Sequence, residues 1–247
     1  MLRDMSRSQP ERHVSSYYVP PVTLGQLMTS YARADPFYGD PLGRDDMRLV
    51  HAGRELNRGQ LNALGYDGVL QPVIASVFAE RQPRTMAERS QALALMIEDS
   101  WGQDPVFCRW SAAWLYGACA APKTVEFLSK LYVHPARDHR TRDFQAYQLN
   151  LPAEEHWRVG EVLAISPVQC AAELLVHVNN PPAWVAAGIL LKTKGLLCPR
   201  KIRHARHITE RLGLLGQRRA AQQILDQWLE AITGAGPIVS MVDEPAS

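Results

Sequence analysis

The stretch Trp110-Ser111-Ala112-Ala113-Trp114-Leu115-Tyr116-Gly117 opens the part of the chain that decides the fold class. It predicts two helical turns that stop at a glycine, because glycine is the usual residue just past a helix end. Extended runs follow at residues 124–128 and 144–149. A third run, at residues 163–165, enters a helix through Ser166-Pro167-Val168-Gln169, where the serine can cap the helix and the proline costs no hydrogen bond. Short helices mixed with strands predict an α+β protein.

Composition indicates an ordinary globular chain. Of 247 residues, 46% are hydrophobic and 21% are charged, and the net charge of +2 is too small to imply a nucleic-acid or membrane partner by itself. The N-terminus has no export signal, and no apolar run approaches the roughly 20 residues of a membrane span. The four cysteines form no Cys-x-x-Cys pair, which favours free thiols in a reducing compartment. We expect a soluble, cytoplasmic protein with no membrane partner.

The pattern along the chain divides it into five segments. We predict an N-terminal arm at residues 1–45, a reduced winged-helix unit at 46–84, a mixed α/β domain at 85–197, C-terminal helices at 198–235 and a polar tail at 236–247. The arm holds one short helical pattern at residues 23–34, ended by Asp35-Pro36. The C-terminal part predicts helices at residues 184–191, 199–212 and 217–233.

The winged-helix expectation rests on residues 57–78. Asn57 is a suitable cap for a short helix that would end before Gly65. Asp67-Gly68 predicts a tight turn before two extended pieces, residues 69–71 and 73–78. Helix, turn and β-ribbon are the outline of a winged helix. Thr85 to Glu88 is a capping-box pattern that begins the next helix.

Four segments together resemble a known family. They are Leu56-Asn57-Arg58-Gly59-Gln60-Leu61, Val73-Ile74-Ala75-Ser76-Val77-Phe78-Ala79, Arg109-Trp110-Ser111-Ala112-Ala113-Trp114-Leu115-Tyr116-Gly117 and Ile165-Ser166-Pro167-Val168-Gln169. Their order, over residues 56–247, resembles the AbiEi-like antitoxins and transcription-regulator-like proteins of actinobacteria. The resemblance implies an N-terminal winged helix that binds operator DNA, an α/β domain, and a non-enzymatic regulator or antitoxin with a toxin protein as partner.

Two departures from the family pattern leave alternatives open. The segment between Leu64 and Val69 is too short to hold a recognition helix, so either the arm supplies that helix or DNA binding is lost. Some relatives continue into an endonuclease-like domain after a stretch similar to residues 242–247, where this chain stops. The alternatives are a protein-interaction scaffold that keeps the fold without DNA binding, and a remnant of a nuclease-linked protein without its catalytic lobe.

The residues expected to contact DNA lie around the short helix and the ribbon. Arginine neutralises phosphates, whereas asparagine and glutamine can reach base edges. The set is Arg54, Asn57, Arg58, Gln60, Gln71, Arg81 and Arg84. The alternative interpretation of this set is a solvated polar surface.

A second basic run follows Pro199. It contains Arg200, Lys201, Arg203, Arg206, Arg218 and Arg219, with His204, His207 and Arg211 between them. On a helix Arg203, Arg206 and His207 share a face. A solvated face over an apolar underside is the favoured interpretation, and a surface for phosphates or an acidic partner is the alternative.

Other candidate sites are weaker. His204 and His207 with Cys198 lack further ligands, so we expect no metal site. The mixed His, Arg and Asp residues at 134–143 are interpreted as a polar hairpin loop rather than an acid–base site. Trp110 and Trp114 are expected to anchor the core. The sequence contains no nucleotide-binding loop, serine-hydrolase elbow or zinc-protease helix, so we expect neither an enzyme nor a cofactor.

Overall fold

The structure, a computed structural model, describes residues 47–54, 56–97, 105–129, 144–148 and 156–234. Helices and strands both occur along these residues, which confirms the α+β class. The arm at residues 1–45, its helix at 23–34, the loop at 134–143 and the tail at 236–247 lie outside the described residues.

The first part of the chain builds a three-stranded antiparallel sheet with one helix inserted. Its elements are β1 (Leu49–His51), α1 (Arg58–Tyr66), β2 (Gln71–Ile74) and β3 (Val77–Ala79). The strand order is β1-β3-β2, so β3 lies in the middle. Leu61 of α1 is fully buried against a small cluster completed by Val50, Leu70 and Phe78.

Helix α1 begins as predicted and ends later. The Asn57 side chain accepts a hydrogen bond from the Gln60 amide, and the Gln60 side chain accepts one from the Asn57 amide, both at 2.9 Å. Gly65 lies inside the last turn, and Asp67 caps the helix. The prediction that the helix ends before Gly65 was therefore wrong by two residues, which is within the usual uncertainty of helix ends.

The turn of the β-ribbon is not where the sequence suggested. The chain reverses at Ala75-Ser76, inside the second predicted piece, and Ala75 has a positive φ of 47°. Val73 and Ile74 on one strand and Val77 on the other are all buried. This mostly apolar run contains no glycine, proline, asparagine or aspartate, and Ser76 alone is too weak a signal to locate the reversal.

Helix α2 (Met86–Ala94) begins with the predicted capping box. Thr85 Oγ1 accepts from the Glu88 amide at 3.2 Å, while Glu88 Oε2 accepts from the amides of Thr85 (3.1 Å) and Arg84 (2.6 Å). Glu88 Oε1 also accepts from Arg81 Nη2 at 2.6 Å. Partial burial opposes ionisation of Glu88, but these donors outweigh it and hold its pKa at about 2, against an ordinary 4.5.

Replacing Glu88 should produce a pH-dependent loss of stability. Because the folded pKa is depressed, the stabilisation is fully present above pH 4.5 and is lost as pH falls towards 2. We expect Glu88→Gln to lower the free energy of unfolding by roughly 1 to 3 kcal/mol at pH 7. Urea unfolding at pH 7, 5, 4 and 3 should show that difference shrinking at the acid end. Glu80→Gln, at an exposed carboxylate nearby, is the control. A difference independent of pH would contradict this interpretation.

A five-stranded mixed sheet forms the centre of the protein. Its strands are β4 (Val106–Phe107), β5 (Val125–Ser129), β6 (Phe144–Gln148), β7 (His156–Val159) and β8 (Val162–Ile165). Their order is β6-β5-β4-β8-β7. Strands β5 and β6 are parallel, as are β4 and β8, while β4 pairs with β5 and β7 with β8 in antiparallel fashion.

The parallel pairing of β5 with β6 corrects one prediction. Val125 pairs with Phe144 and Ser129 with Gln148, so both strands run in the same direction. Two parallel strands require a crossover and cannot be joined by a hairpin. The interpretation of residues 134–143 as a hairpin loop was therefore wrong, although those residues themselves lie outside the described part of the chain.

Helices cover the sheet and complete the core. They are α3 (Arg109–Leu115), α4 (Pro167–Glu173) with a π-helical continuation at Leu174–Val178, α5 (Pro181–Leu190), α6 (Pro199–Thr209) and α7 (Leu215–Thr233). A short hairpin of β9 (Lys192–Thr193) and β10 (Leu196–Leu197) joins α5 to α6. One core cluster includes Val77 of the first sheet, Phe107 of the second and Trp228 of α7.

The predicted helix start at Ser166 and the predicted burial of the two tryptophans are each confirmed only in part. Ser166 Oγ accepts from the Gln169 amide at 3.2 Å, as predicted, but Gln169 Nε2 donates to Glu173 at 3.2 Å and does not complete the capping box. Trp114 is buried in the core, as predicted, whereas Trp110 is only half-buried at its edge.

Candidate nucleic-acid surface and a buried polar cluster

The three-stranded sheet fixes where the predicted DNA-contact residues lie. His51 pairs with Val77 at one end, and Leu49 and Gln71 both pair with Ala79 at the other. The Ala52 amide donates to the Ser76 carbonyl at 2.9 Å, which places the segment after β1 at the first end. Arg54, Asn57, Arg58 and Gln60 therefore belong to the hairpin end of the sheet. Gln71, Arg81 and Arg84 belong to the opposite end, so the seven residues do not form one patch.

At the hairpin end, the two amides and the two arginines have different roles. Asn57 and Gln60 are exposed, but their side chains are used in the capping box of α1. Arg54 and Arg58 are also exposed, and Arg54 Nη2 reaches the Ile97 carbonyl only at 3.5 Å. The arginines are thus placed to meet an anion, while the amides hold the helix start in shape.

At the opposite end, most of the predicted residues are occupied. Arg81 forms the ion pair with Glu88 at 2.6 Å. Gln71 Nε2 donates to the Glu80 carbonyl at 3.2 Å, and Gln71 Oε1 accepts from Gln82 at 3.2 Å. Arg84 remains exposed. The ribbon between residues 71 and 79 contains no lysine or arginine, so it presents no cation to a phosphate.

The solvent face of α1 contains two residues that the sequence reasoning missed. Asn62 and Tyr66 follow Arg58 at intervals of four residues, which places all three on one face of the helix. All three are exposed, and Tyr66, at 93%, is the most exposed of the large hydrophobic side chains that the structure describes. Counting in helical steps from the apolar Leu61 and Leu64 would have found this face from sequence.

In the second basic run, some side chains form contacts within the protein and others are exposed to solvent. Lys201 Nζ donates to the Lys192 carbonyl at 2.6 Å, and Arg218 Nε donates to the Leu212 carbonyl at 2.7 Å. Arg206 pairs with Asp226 of α7 at 2.7 Å and with Glu210 at 3.6 Å. Arg200, Arg203 and Arg219 are exposed. Half of the predicted set is therefore committed to internal contacts.

The geometry of α6 agrees with a solvated face over an apolar underside. Ile202, Ala205 and Ile208 are buried beneath it. Arg206 turns towards α7, so it does not share the outer face with Arg203 and His207 as predicted. Among the described residues, no group of three histidine, cysteine or acidic side chains is placed to hold a metal ion.

A buried polar cluster in the central domain was not anticipated from sequence. Glu126 of β5 is 8% exposed, and its two carboxylate oxygens accept from the Trp110 amide at 3.0 Å and the Tyr147 hydroxyl at 2.9 Å. Cys108, at the cap position of α3, provides no side-chain hydrogen bond. Glu126 therefore caps α3 from the neighbouring strand. Its own amide donates to Ser111 Oγ at 2.7 Å, which ties the same two elements together again.

Arg109 links this glutamate to a second one. Its guanidinium lies 3.8 Å from the centre of the Tyr147 ring, and its Nε is 4.0 Å from Glu173. Arg109 has a φ of 44°, a conformation that costs energy for a residue other than glycine. Burial, and then the neighbouring Glu126, raise the pKa of Tyr147, so its hydroxyl remains a hydrogen-bond donor.

The cluster is better suited to holding elements together than to chemistry. Glu126 lies in an open cleft of about 460 Å³, with Trp110, Lys123 and Gln145 among its lining residues. Both oxygens of Glu126 already accept hydrogen bonds, and Tyr147 keeps its proton. The two hydrogen bonds engage one lone pair on each oxygen and fix the orientation of the carboxylate between α3 and β6.

The four cysteine thiols differ in pKa and therefore in their expected reactivity. Burial raises the pKa values of the Cys108, Cys119 and Cys170 thiols. Cys198 stands at the start of α6, where the Lys201 amide and, secondarily, the Thr193 side chain lower its pKa.

Cys198 should therefore be the fast-reacting thiol of the native protein. We expect Cys198 to react first with a thiol reagent at neutral pH, with a rate profile whose midpoint lies below 9.0, and the other three thiols, whose pKa values are raised, to react much more slowly. Cys198→Ser should remove the fast phase, and Cys119→Ser should keep it. A fast phase that survives Cys198→Ser would contradict the assignment.

No protein-family model, curated protein or solved structure matches the chain. Within the part of the chain that the structure describes, no helix combines the length and apolar character needed to cross a membrane.

Proposed function

We propose that the protein is a non-enzymatic DNA-binding regulator or antitoxin of the AbiEi-like kind, which occupies operator DNA through its first sheet and α1. The observation that carries the proposal is the order β1-β3-β2 with α1 between β1 and β2. A winged helix has this strand order, and its β2–β3 ribbon is the wing.

The connection between α1 and β2 gives α1 a specific role in this proposal. In a winged helix, the helix that leads directly into the ribbon is the one that lies in the major groove. Only residues 67–70 separate α1 from β2. A recognition helix is therefore not required between Leu64 and Val69, because α1 itself takes that place. Only six residues separate β1 from α1, which is too few for the helix that precedes the recognition helix in a complete winged helix.

The charges around the start of α1 also support its assignment as the helix that lies in the major groove. Arg54 and Arg58 flank the start of α1, and the first turn of the helix contains no acidic residue. The positive end of the helix dipole lies there as well. Two exposed guanidinium groups beside a helix start can bind two phosphates and position the helix on a duplex.

Removing these two arginines should weaken DNA binding in a salt-dependent way. With duplex DNA from the protein's own upstream region, we expect Arg54→Ala/Arg58→Ala to reduce affinity about tenfold or more. The slope of log K against log salt should decrease in magnitude by about 2, one for each lost phosphate contact. Fluorescence anisotropy across a salt series measures both quantities.

The matched control removes the same charge from the second basic run. Arg203→Ala/Arg219→Ala deletes two exposed cations and should leave the slope within experimental error of wild type. Failure of the wild type to bind duplex DNA at low salt would overturn the proposal. An equal loss in both double variants would show that net charge, and not α1, drives binding.

A protein-interaction scaffold is the second candidate, and one observation favours it. Leu214 and Leu215, before and at the start of α7, are 74% and 62% exposed. Adjacent exposed leucines are typical of protein contact surfaces rather than of DNA contact surfaces. In the scaffold function this surface would hold a partner protein and DNA would not be bound, so the DNA titration of the wild type also separates the two functions.

A further inference from the structure

We infer that the sequence readout of the DNA lies on the α1 stripe, defined as Arg58, Asn62 and Tyr66, with Asn62 and Tyr66 contacting base edges. This inference rests on the proposed function. It differs from the assignment made from sequence, in which Asn57 and Gln60 were the residues expected to reach the bases.

The structure assigns Asn57 and Gln60 to another task. Each side chain accepts the backbone amide of the other residue at 2.9 Å, which satisfies two of the free amides at the helix start. Turning either side chain towards a base would break this reciprocal pair. The side chains of Asn57 and Gln60 therefore hold the start of the helix that presents the α1 stripe, and both are positioning residues.

Asn62 and Tyr66 are placed differently. Among the residues that the structure describes, neither side chain forms a hydrogen bond or an ion pair. Both are exposed, and they lie away from fully buried Leu61, which fixes the opposite side of α1 against the small cluster with Leu70 and Phe78. An outward face held by a packed underside is preorganised for contact with a partner.

The dimensions of the α1 stripe fit the major groove. At a rise of 1.5 Å per residue, Arg58 to Tyr66 spans about 12 Å. That length covers about three to four base pairs at 3.4 Å each. The major groove is about 12 Å wide and accepts a single α-helix.

The chemistry of the α1 stripe also suits the bases. An asparagine amide offers one donor and one acceptor and can bind adenine through N6 and N7. The tyrosine ring can pack against a thymine methyl group while its hydroxyl remains available for a hydrogen bond. Asp67 follows Tyr66 on the exposed surface, so a phosphate is disfavoured at that end. Phosphate contacts are thereby confined to the Arg54 and Arg58 end of the helix.

The test compares affinity for a selected duplex with affinity for a scrambled duplex of the same composition. A preferred site is first selected from a random duplex pool with the wild-type full chain. We expect Asn62→Ala and Tyr66→Ala each to reduce the ratio of the two affinities about tenfold. Asn57→Ser, which removes an amide but keeps a capping oxygen, should leave the ratio unchanged. Thermal unfolding should be nearly unchanged in all three variants, because Asn62 and Tyr66 are exposed and serine keeps a capping oxygen at position 57.

The outcomes separate the inference from the proposed function. Discrimination that survives both Asn62→Ala and Tyr66→Ala overturns the inference and leaves DNA binding intact. Loss of discrimination in Asn57→Ser, with an unchanged unfolding temperature, overturns it in favour of the assignment made from sequence. A wild type that binds every duplex equally also overturns it. A wild type that binds no duplex overturns the proposed function as well.

Discussion

Glu126→Ala should lower the free energy of unfolding by about 3 to 5 kcal/mol. The substitution leaves the Tyr147 hydroxyl and the Trp110 amide, which is the capped amide of α3, without their acceptor in a partly buried site. Arg109, which packs on Tyr147, loses the ordered ring beneath it. Each buried donor left unsatisfied contributes about 1 to 3 kcal/mol to the loss.

Urea unfolding of a small set of variants measures this effect. Gln145→Ala is the matched control, since Gln145 pairs directly with Glu126 in the sheet but is exposed. A double-mutant cycle with Tyr147→Phe should give a coupling of about 1 to 2 kcal/mol across the 2.9 Å hydrogen bond. If Glu126→Ala destabilised the protein no more than Gln145→Ala does, the cluster would not hold these elements together.

Gly160→Ala should be the next most damaging change, at about 2 to 4 kcal/mol. Gly160 lies in the turn between β7 and β8 with a φ of 56°, where an alanine is strained. An added Cβ would also overlap the hydroxyl of Ser90, which is buried on α2. The turn of the central sheet would therefore have to move away from the helix that follows the first sheet.

A substitution at Gly68 serves as a control, because it has the backbone strain of Gly160→Ala without the steric overlap. Gly68 has a φ of 74°, and nothing lies within 4 Å of an added Cβ, so Gly68→Ala should cost only about 1 to 2 kcal/mol. Adding Ser90→Ala to Gly160→Ala should recover part of the loss by removing the overlapping hydroxyl. Equal losses for the two glycine variants in thermal unfolding would show that the contact with Ser90 is unimportant.

Local signals in the sequence predicted local structure well. The caps at Asn57, Thr85 and Ser166 each depend on residues no more than three positions away, and all three form. The helical periodicity of the C-terminal part also located three helices, with ends that differ by a few residues. The last of them was predicted at residues 217–233 and is observed at Leu215–Thr233.

Pairings between distant residues could not be predicted in the same way. The parallel pairing of β5 with β6 depends on how the chain crosses over between them, which no local pattern encodes. Strand β7 was missed because Trp157 and Arg158 are adjacent and both exposed, so the strand lacks the alternation that marks one buried face. Strand β1 was also missed, because its three residues are too few to show a periodic pattern.

In the candidate sites, too, local contacts could be predicted from sequence and contacts between distant residues could not. The capping box at Asn57 and Gln60 was readable from sequence, and its consequence is that these amides are engaged before any DNA arrives. The ion pair between Arg81 and Glu88 and the contacts around Arg109 join separate elements, so only the fold reveals them. The sequence thus indicated the region of the proposed DNA surface, whereas the contacts in the structure show which of its side chains are engaged within the protein.

An NMR titration tests the central proposal most directly. Backbone amide signals of the isotope-labelled protein would be followed while duplex DNA carrying the selected site is added at low salt. We predict that the signals of residues 54–66 shift with added DNA and that those of residues 199–209 in α6 do not. Shifts confined to α6, or no shift in residues 54–66 at saturating DNA, would contradict the proposal that α1 is the DNA-binding element.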